Sequence, residues 1–319
     1  MSEDAVFSLI ASMAGIQVGI VISSFLFGIL TLQAFFYFPS YPNDRMFLKL
    51  LSGLVWFLEL FGMVFAGHLL YAAAISPYRE NPLLMFTKAP YQVNAIILVS
   101  NWSGAIVQFY FVDRVRRFTQ SLWVPALCWV IIGYTVASVI ALTVVSVREG
   151  ILEYTLHWRW LSISGLFTAA AVDIIVSFFL CGSLMKQRKS PFPRSTRLID
   201  EIILMTVTTG VLTSLVATAS AILLVTMPFS MIYFGVYICL ARIYANSYFA
   251  SLNARNRLRG SEEDGIMGSV RFASRSAAAE TERSKEISET GSSPRAQATF
   301  LGRLRVDLDR SSNPGTLIA

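Results

Sequence analysis

The chain has 319 residues, of which 55% are hydrophobic and 14% are charged, and its net charge is +6. A soluble globular protein carries about 25% charged residues, so the composition indicates an integral membrane protein. With two histidines and three cysteines, all three within apolar stretches, the chain offers neither a His/Cys metal cluster nor an extracellular disulfide framework. The signatures of phosphate binding, dinucleotide binding and serine hydrolysis are also missing, so no cofactor and no nucleic acid partner is expected.

Seven apolar stretches are long enough to cross a hydrocarbon core, which takes roughly 20 helical residues. The predicted helices span residues 13–38, 48–75, 92–112, 122–147, 160–185, 199–226 and 229–250. Only Met227 and Pro228 separate the last two, but their combined length favours two helices over one helix kinked at proline. The sequence therefore predicts an all-α fold, an integral membrane bundle of seven transmembrane helices over residues 1–251.

The remaining residues, 252–319, have a different composition. They are rich in Ser, Arg, Glu, Ala and Gly and contain few aromatic residues, which predicts a disordered tail. Its first turns are the exception, because 246–259 can extend the seventh helix along the membrane surface with Phe249 and Leu252 facing inward. Ser274, Ser284 and Ser293 lie next to basic residues or proline and are candidate phosphorylation sites. The alternative is an ordinary solvated tail.

Basic residues predict the orientation of the bundle in the membrane. The first, third and fifth breaks between helices carry ten of them, whereas the alternate breaks carry four. Because cytosolic loops are enriched in Lys and Arg, the N-terminus is expected outside and the C-terminal tail in the cytosol. The first helix would then act as an uncleaved signal anchor. The lipid bilayer is the predicted partner, a cytosolic partner of the tail is possible, and the oligomeric state stays open.

Asp173 lies near the middle of the fifth predicted helix. Its face also carries Gly165, Ala169, Ala170 and Ser177, and small residues of this kind let helices approach closely. We therefore expect Asp173 to point into the protein and to bond a hydroxyl stripe on the sixth helix, at Thr209 and Thr213. Two interpretations remain open, a structural hydrogen bond and a ligand or proton site.

Two further ionisable residues, Glu59 and Arg242, lie at similar depths in the second and seventh predicted helices. An ion pair between them would offset two costly burials. The pair can be a structural lock or part of a switch or ligand contact. Alternatively, the two residues are unpaired and Arg242 extends to the inner headgroups.

His68 follows Glu59 by nine residues, so the two occupy opposite faces of one helix and cannot form one site. We interpret His68 as a hydrogen-bonded packing residue near the outer surface. In the first helix, a stripe of small residues recurs every four positions, namely Ala11, Gly15, Gly19 and Ser23. It predicts close packing within the bundle rather than dimerisation.

Several short patterns occur together in a fixed order along residues 15–259. They are Gly28, Gln33, Tyr37, Phe38, Tyr41, Asp44 and Lys49, then His68 with Tyr71, Gln108 and Arg114 in IVQFYFVDR, Asp173, TGVLTS at 209–214 and NSYFASLNAR at 246–255. Together they resemble the fungal, mainly basidiomycete, multi-pass membrane proteins that carry domain of unknown function 6534. In that family an acid, usually Asp, occupies the place of Glu59, and a base, often Lys, that of Arg242. The resemblance implies a seven-helix membrane protein and no assigned activity.

Three functions fit these features. A non-enzymatic, receptor-like or sensory protein, placed in the plasma membrane rather than an internal one, fits the seven helices, the basic inner loops and the long tail. A transporter or channel for small solutes or protons fits the buried acids and the hydroxyl stripe, although no internal repeat is visible. A lipid enzyme ranks last, because Asp173 stands alone and His68 and Glu59 lie on opposite faces.

Overall fold

A computed structural model describes residues 3–75, 90–119, 122–187, 193–227 and 230–254, and every regular element in these ranges is a helix. The helices are α1 Glu3–Ser40, α2 Met46–Ile75, α3 Tyr91–Thr119, α4 Trp123–Glu153, α5 Arg159–Gln187, α6 Pro193–Thr226 and α7 at 232–254. The all-α fold is thereby confirmed. Ser274, Ser284 and Ser293 lie outside the described residues.

Each predicted apolar stretch corresponds to one of these helices, but most helices are longer than predicted. The largest difference is at α1, which begins at Glu3 instead of residue 13. At the other end of the bundle, α7 continues to residue 254 with Phe249 and Leu252 fully buried, in agreement with the predicted extension of the seventh helix, and residues 255–259 lie outside the described ones. Apolarity alone underestimates helix length, because a helix can continue beyond the hydrocarbon region with polar residues.

The connection between α4 and α5 consists of a kink at Gly150 and a helical turn. Gly150 adopts φ 89° and ψ 174°, a conformation that L residues with a side chain rarely take. A π-helical turn, Tyr154–Trp158, follows and leads directly into α5. The sequence predicts a longer polar break here, and the turn at Gly150 replaces it.

Within the described ranges, six helices are long and apolar enough to cross a membrane by length and composition. The candidate spans are Ser12–Ser40, Met46–Ala72, Tyr91–Thr119, Trp123–Ile151, Tyr154–Lys186 and Ile203–Thr226. Large apolar side chains on them face outward, as Phe25, Phe35 and Phe178 do, each at least 70% exposed. A soluble protein would not expose this much apolar surface, so the chain is a multi-pass membrane protein.

Helix α7 differs from all six, since none of its residues 232–254 is exposed. Its polar side chains make hydrogen bonds or ion pairs with α1, α2, α3 and α5, so it lies at the centre of the bundle. It carries Arg242, two asparagines, two serines and four tyrosines, which explains why it does not qualify as a span by apolarity. A helix that faces protein on all sides has no need of a lipid-compatible surface.

The small-residue stripe of α1 packs against α7. A side chain at Gly19 would collide with the backbone of Gly235, and one at Gly15 would meet Ile232 at 2.9 Å. Ser23, further along the stripe, accepts a hydrogen bond from Arg242 Nε at 3.1 Å. The stripe therefore serves a contact within the bundle, as the sequence predicts.

Candidate functional site

Two polar sites lie on opposite sides of α7, around Tyr244 and around Arg242. Residues two positions apart on a helix point about 200° apart, so these two side chains diverge. The site around Tyr244 contains Asp173 and is called the acid site. The site around Arg242 contains Glu59 and is called the ion-pair site.

In the acid site, the Asp173 carboxyl accepts hydrogen bonds from side chains of two other helices, α3 and α7. Gln108 Nε2 donates to Oδ1 at 3.1 Å, and the Tyr244 hydroxyl donates to Oδ2 at 2.5 Å. Thr213 of α6 lies beside the carboxyl, but its hydroxyl donates to the backbone oxygens of Thr209 and Gly210 at 3.1 Å. Gln108 further bonds Tyr244 and the backbone oxygen of Ala169, which holds the amide in one orientation.

This geometry agrees with the predicted hydroxyl stripe only in part. Thr213 lies beside Asp173, but its hydroxyl donates to the backbone oxygens of Thr209 and Gly210 at 3.1 Å. The Thr209 hydroxyl likewise donates to the backbone oxygen of Thr206 at 3.1 Å. The main partners, Gln108 and Tyr244, come from α3 and α7 instead of α6. Position alone could have suggested Gln108, because it is a polar residue near the C-terminal end of an apolar stretch.

Close packing of α5 on α6 positions Asp173. A side chain at Gly210 would overlap Ser177 Oγ and would approach the backbone oxygen of Asp173 at 3.4 Å. Glycine at 210 therefore lets α6 lie directly on the small-residue face of α5. In consequence, Asp173 is buried and only 8% exposed.

In the described part of the chain, no positively charged side chain contacts the Asp173 carboxyl. Each hydrogen-bond partner recorded there for Asp173 is a neutral amide or hydroxyl group. Hydrogen bonds from neutral donors stabilise a carboxylate, but they do not cancel its charge. The acid site can therefore change its charge by binding a proton or a cation.

A cavity of about 130 Å³, called the apolar cavity, lies between α3, α4, α5 and α7. It reaches from the level of Val93 to Gln108 and Tyr244, which close it next to Asp173. Its lining is mostly apolar, with scattered hydroxyl groups. The apolar members include Val93, Ile97, Leu142, Leu161, Phe234 and Leu240, and the hydroxyl members include Thr135, Ser138, Thr143, Ser146, Tyr154, Tyr233 and Tyr237. An apolar volume of this order is large enough for a single aromatic ring.

Two smaller cavities continue from the acid site toward the other end of the bundle. The first, called the polar cavity, measures about 30 Å³ and is lined by Asp173, Ser177, Thr209, Thr213 and Ser247, among others. The second, called the end cavity, measures about 10 Å³ and includes Arg114 and Ser251. Both are lined by Thr206, Thr209 and Ser247, so they adjoin each other.

The end of the bundle at Arg114, Arg116 and Arg117 is called the basic end. Arg116 and Arg117 pair with Asp113 on the surface, while Arg114 Nη1 donates to Ser251 Oγ on α7 at 2.8 Å. The end cavity lies beside this contact. The last turns of α7 are thus tied to the C-terminal end of α3.

The ion-pair site brings Glu59 and Arg242 into direct contact, as their depths in the sequence predict. Glu59 is fully buried and Arg242 is 1% exposed. The Ser103 hydroxyl donates to Glu59 Oε1, Arg242 Nε donates to Ser23, and the guanidinium carbon lies 5.8 Å from the Phe27 ring centre. The pair therefore joins α1, α2, α3 and α7 through compensated charges.

Glycine at position 62 makes room for this pair. A side chain there would lie 2.9 Å from Arg242 Nη2, so only glycine lets the guanidinium group rest against α2. The sequence predicts the pairing of charges but gives no sign of the two serines that complete it.

His68 lies away from both polar sites. Its Nδ1 is 2.9 Å from the Tyr91 hydroxyl and 2.9 Å from Gln92 Nε2, and its ring stacks on Tyr71. The side chain is exposed at the surface of α2 and is bonded to α3. These contacts fit a packing role at the end of the bundle opposite the basic end.

Comparison with known proteins gives one match. Residues 169–257 match the model of a family of unknown function (DUF6534). The matched segment contains Asp173, Thr213, Arg242 and Tyr244, and thus α7 with one or more members of each polar site. No curated protein and no solved structure matches the chain significantly.

Proposed function

We propose that the chain is a receptor-like, non-enzymatic membrane protein that senses a small, mostly apolar molecule. The apolar cavity carries this proposal, because it combines an apolar lining with hydrogen-bonding groups at one end, at Gln108 and Tyr244. Small-molecule sites in proteins have this character, an apolar pocket with a few fixed polar groups. The ligand class that fits is a single-ring molecule with one hydroxyl or carbonyl group.

The position of α7 supports a receptor in particular. One turn of this helix contributes Tyr244 to the cavity, and its last turns contact Arg114 through Ser251. A ligand that displaces Tyr244 would move a helix that reaches the basic end. The two ends of the bundle are thereby linked by one buried element, as signalling requires.

The proposal includes the topology and the location. All seven helices cross the membrane, the N-terminus is outside, and the basic end and the tail face the cytosol of a fungal cell, at the plasma membrane. The excess of Lys and Arg near the basic end supports this orientation. The tail would then offer Ser274, Ser284 and Ser293 to cytosolic kinases and partners.

A transporter for small solutes or protons is the second candidate. The adjoining apolar, polar and end cavities favour it, because they follow one another along α7 through the thickness of the bundle. The buried Gln108–Tyr244–Asp173 contacts interrupt this series. We place the receptor first, because contacts that close the bundle between its cavities are compatible with signal transmission but block the path of a solute.

The experiment uses p-cresol as the probe and toluene as its partner without a hydroxyl group. The purified chain is reconstituted in lipid nanodiscs, and thermal unfolding is followed with each compound. We expect p-cresol to raise the unfolding temperature more than toluene, because only p-cresol can bond Gln108 or Tyr244. Ser138→Leu, which fills the cavity, should abolish the difference, and Ala141→Leu on the exposed side of α4 should keep it.

The conformational response to the ligand is measured at the basic end. A fluorophore attached at Ala254→Cys, after replacement of the three native cysteines, reports on the end of α7. A p-cresol-dependent change in its emission that Ser138→Leu removes supports the receptor. If p-cresol raises the unfolding temperature above the value in toluene equally in Ser138→Leu and Ala141→Leu, the result contradicts ligand binding in the apolar cavity. Specific binding without any change at residue 254, together with p-cresol counterflow in proteoliposomes, supports the transporter instead.

A further inference from the structure

The acid site and the polar cavity together suggest a second activity, independent of any ligand in the apolar cavity. Asp173 is buried among apolar helices, and its recorded partners in the described ranges, Gln108 and Tyr244, are neutral. An isolated ionised carboxylate in such surroundings costs several kcal/mol unless its charge is neutralised. We therefore expect the Asp173 carboxyl to bind a proton or a cation from solution.

No charged side chain of the described residues takes that role. On α7, Arg242 points to the opposite side and is paired with Glu59. On α3, the nearest basic residue is Arg114, six positions beyond Gln108 and bonded to Ser251. From α6, the side chains in the polar cavity are the threonines 206, 209 and 213.

The polar cavity gives water a place beside the carboxyl. Its volume of about 30 Å³ exceeds the roughly 10–15 Å³ that one water needs, and its hydroxyl groups supply hydrogen-bond partners. Through Thr206, Thr209 and Ser247 it adjoins the end cavity at Arg114 and Ser251. Water in the polar cavity would connect Asp173 with the basic end through a single water in the end cavity, whose volume of about 10 Å³ is at the lower limit for one water.

The opposite route is less favourable for a proton. Between Asp173 and the apolar cavity stand the Gln108 amide and the Tyr244 ring, whose hydroxyl is held by the carboxyl. Beyond them, the lining is mostly apolar. Protons move along hydrogen-bonded water and hydroxyl groups, which the polar cavity provides and the apolar lining interrupts.

We propose that Asp173 is a reversible proton-binding site that exchanges protons with the basic end of the bundle through the polar cavity. In uptake, a hydronium ion in the cavity gives its proton to a carboxylate oxygen and becomes water. In release, water takes the proton back. No other reactant is needed, and Gln108 and Tyr244 keep the carboxyl in place in both states.

Infrared spectroscopy of the full chain in nanodiscs tests the site directly. The carbonyl stretching band of a protonated carboxylic acid is recorded from alkaline to acidic pH for the wild type and Asp173→Asn. We expect a component that grows on acidification and is lost in the variant. Tyr244→Phe provides a second test should Asp173→Asn fail to fold, because loss of the 2.5 Å hydrogen bond must shift the same component.

The route is tested by the rate at which this component shifts after transfer to heavy water. Thr209→Leu fills the polar cavity, and Thr208→Leu places the same side chain on the exposed face of α6. We expect Thr209→Leu to slow the exchange about tenfold by displacing cavity water, and Thr208→Leu to leave it unchanged. A band that does not titrate, or that persists unaltered in Asp173→Asn and Tyr244→Phe, overturns the site. Slowing by Ser138→Leu instead of Thr209→Leu overturns the route.

Discussion

The two sides of α7 accommodate buried charged groups in different ways. On one side, Glu59 and Arg242 neutralise each other, and Ser23 and Ser103 add hydrogen bonds to the pair. On the other side, Asp173 has only neutral donors and a cavity beside it. A compensated pair resists change because losing either partner leaves a buried charge. An acid among neutral donors can gain or lose a proton while its surroundings stay in place.

This difference assigns distinct roles to the two sites. The ion-pair site fixes α7 against α1, α2 and α3, and the acid site lies between two cavities along α7. In our proposals, the part of the bundle around Asp173 is where binding alters charge and helix position. Substitutions on the two sides should differ accordingly in their cost to stability.

The largest effect is expected at the ion-pair site. Arg242→Leu leaves Glu59 buried without its counter-charge, which should lower the free energy of unfolding by about 3–5 kcal/mol. Arg116→Ala breaks a surface pair with Asp113 and should cost about 1 kcal/mol or less. Detergent-induced unfolding of both variants measures the difference.

The charge-swapped double variant Glu59→Arg with Arg242→Glu is the internal test of pairing. It should be more stable than either single swap, although the hydrogen bonds from the serines will not all be kept. Failure to rescue either single swap would contradict the pairing and reduce the contrast between the two sites.

A smaller effect is expected where α1 crosses α7. Gly19→Ala forces a methyl group into the Gly235 backbone and should cost about 1–3 kcal/mol, as overpacking of a tight interface does. Gly28→Ala on the same helix meets no atom within 4 Å and should be neutral or slightly stabilising. Thermal unfolding of the pair is the measurement, and equal losses would exclude close packing as the role of the stripe.

The smallest effect is expected at the acid site. Asp173→Asn removes the charge and keeps one side-chain oxygen for Gln108, while the Tyr244 hydroxyl can turn to accept from the new amide. The free energy of unfolding should therefore change by about 1 kcal/mol or less. Asp173→Leu, which leaves Gln108 and Tyr244 without an acceptor, should cost more. If Asp173→Asn destabilised the chain as much as Arg242→Leu, the acid site would be a structural lock as well.

Much of this architecture follows from the sequence. Long apolar stretches predict the seven helices, because a chain in lipid must satisfy its backbone within each helix. Opposite charges at matching depth predict the pairing of Glu59 with Arg242. The four-residue spacing of Gly15, Gly19 and Ser23 predicts a close contact inside the bundle.

Other features depend on tertiary structure and leave little trace in the sequence. Tyr244 is one of several tyrosines in α7, and only the packing of α3 and α5 singles it out as a partner of Asp173. Thr209 and Thr213 share a face of α6 but bond their own helix backbone, as threonine hydroxyls in helices often do. The central place of α7 is also hidden, because a polar composition indicates burial in protein only once the neighbours are known.

The most direct test of this arrangement is whether α7 crosses the membrane, since its composition sets it apart from the six apolar spans. Tags at the N-terminus and at Ala319 are assayed in intact and permeabilised cells for accessibility to protease. Seven crossings predict tags on opposite sides, with Ala319 in the cytosol. Tags on the same side would mean that α7 does not span the bilayer, and would contradict both the central helix and the two buried sites built on it.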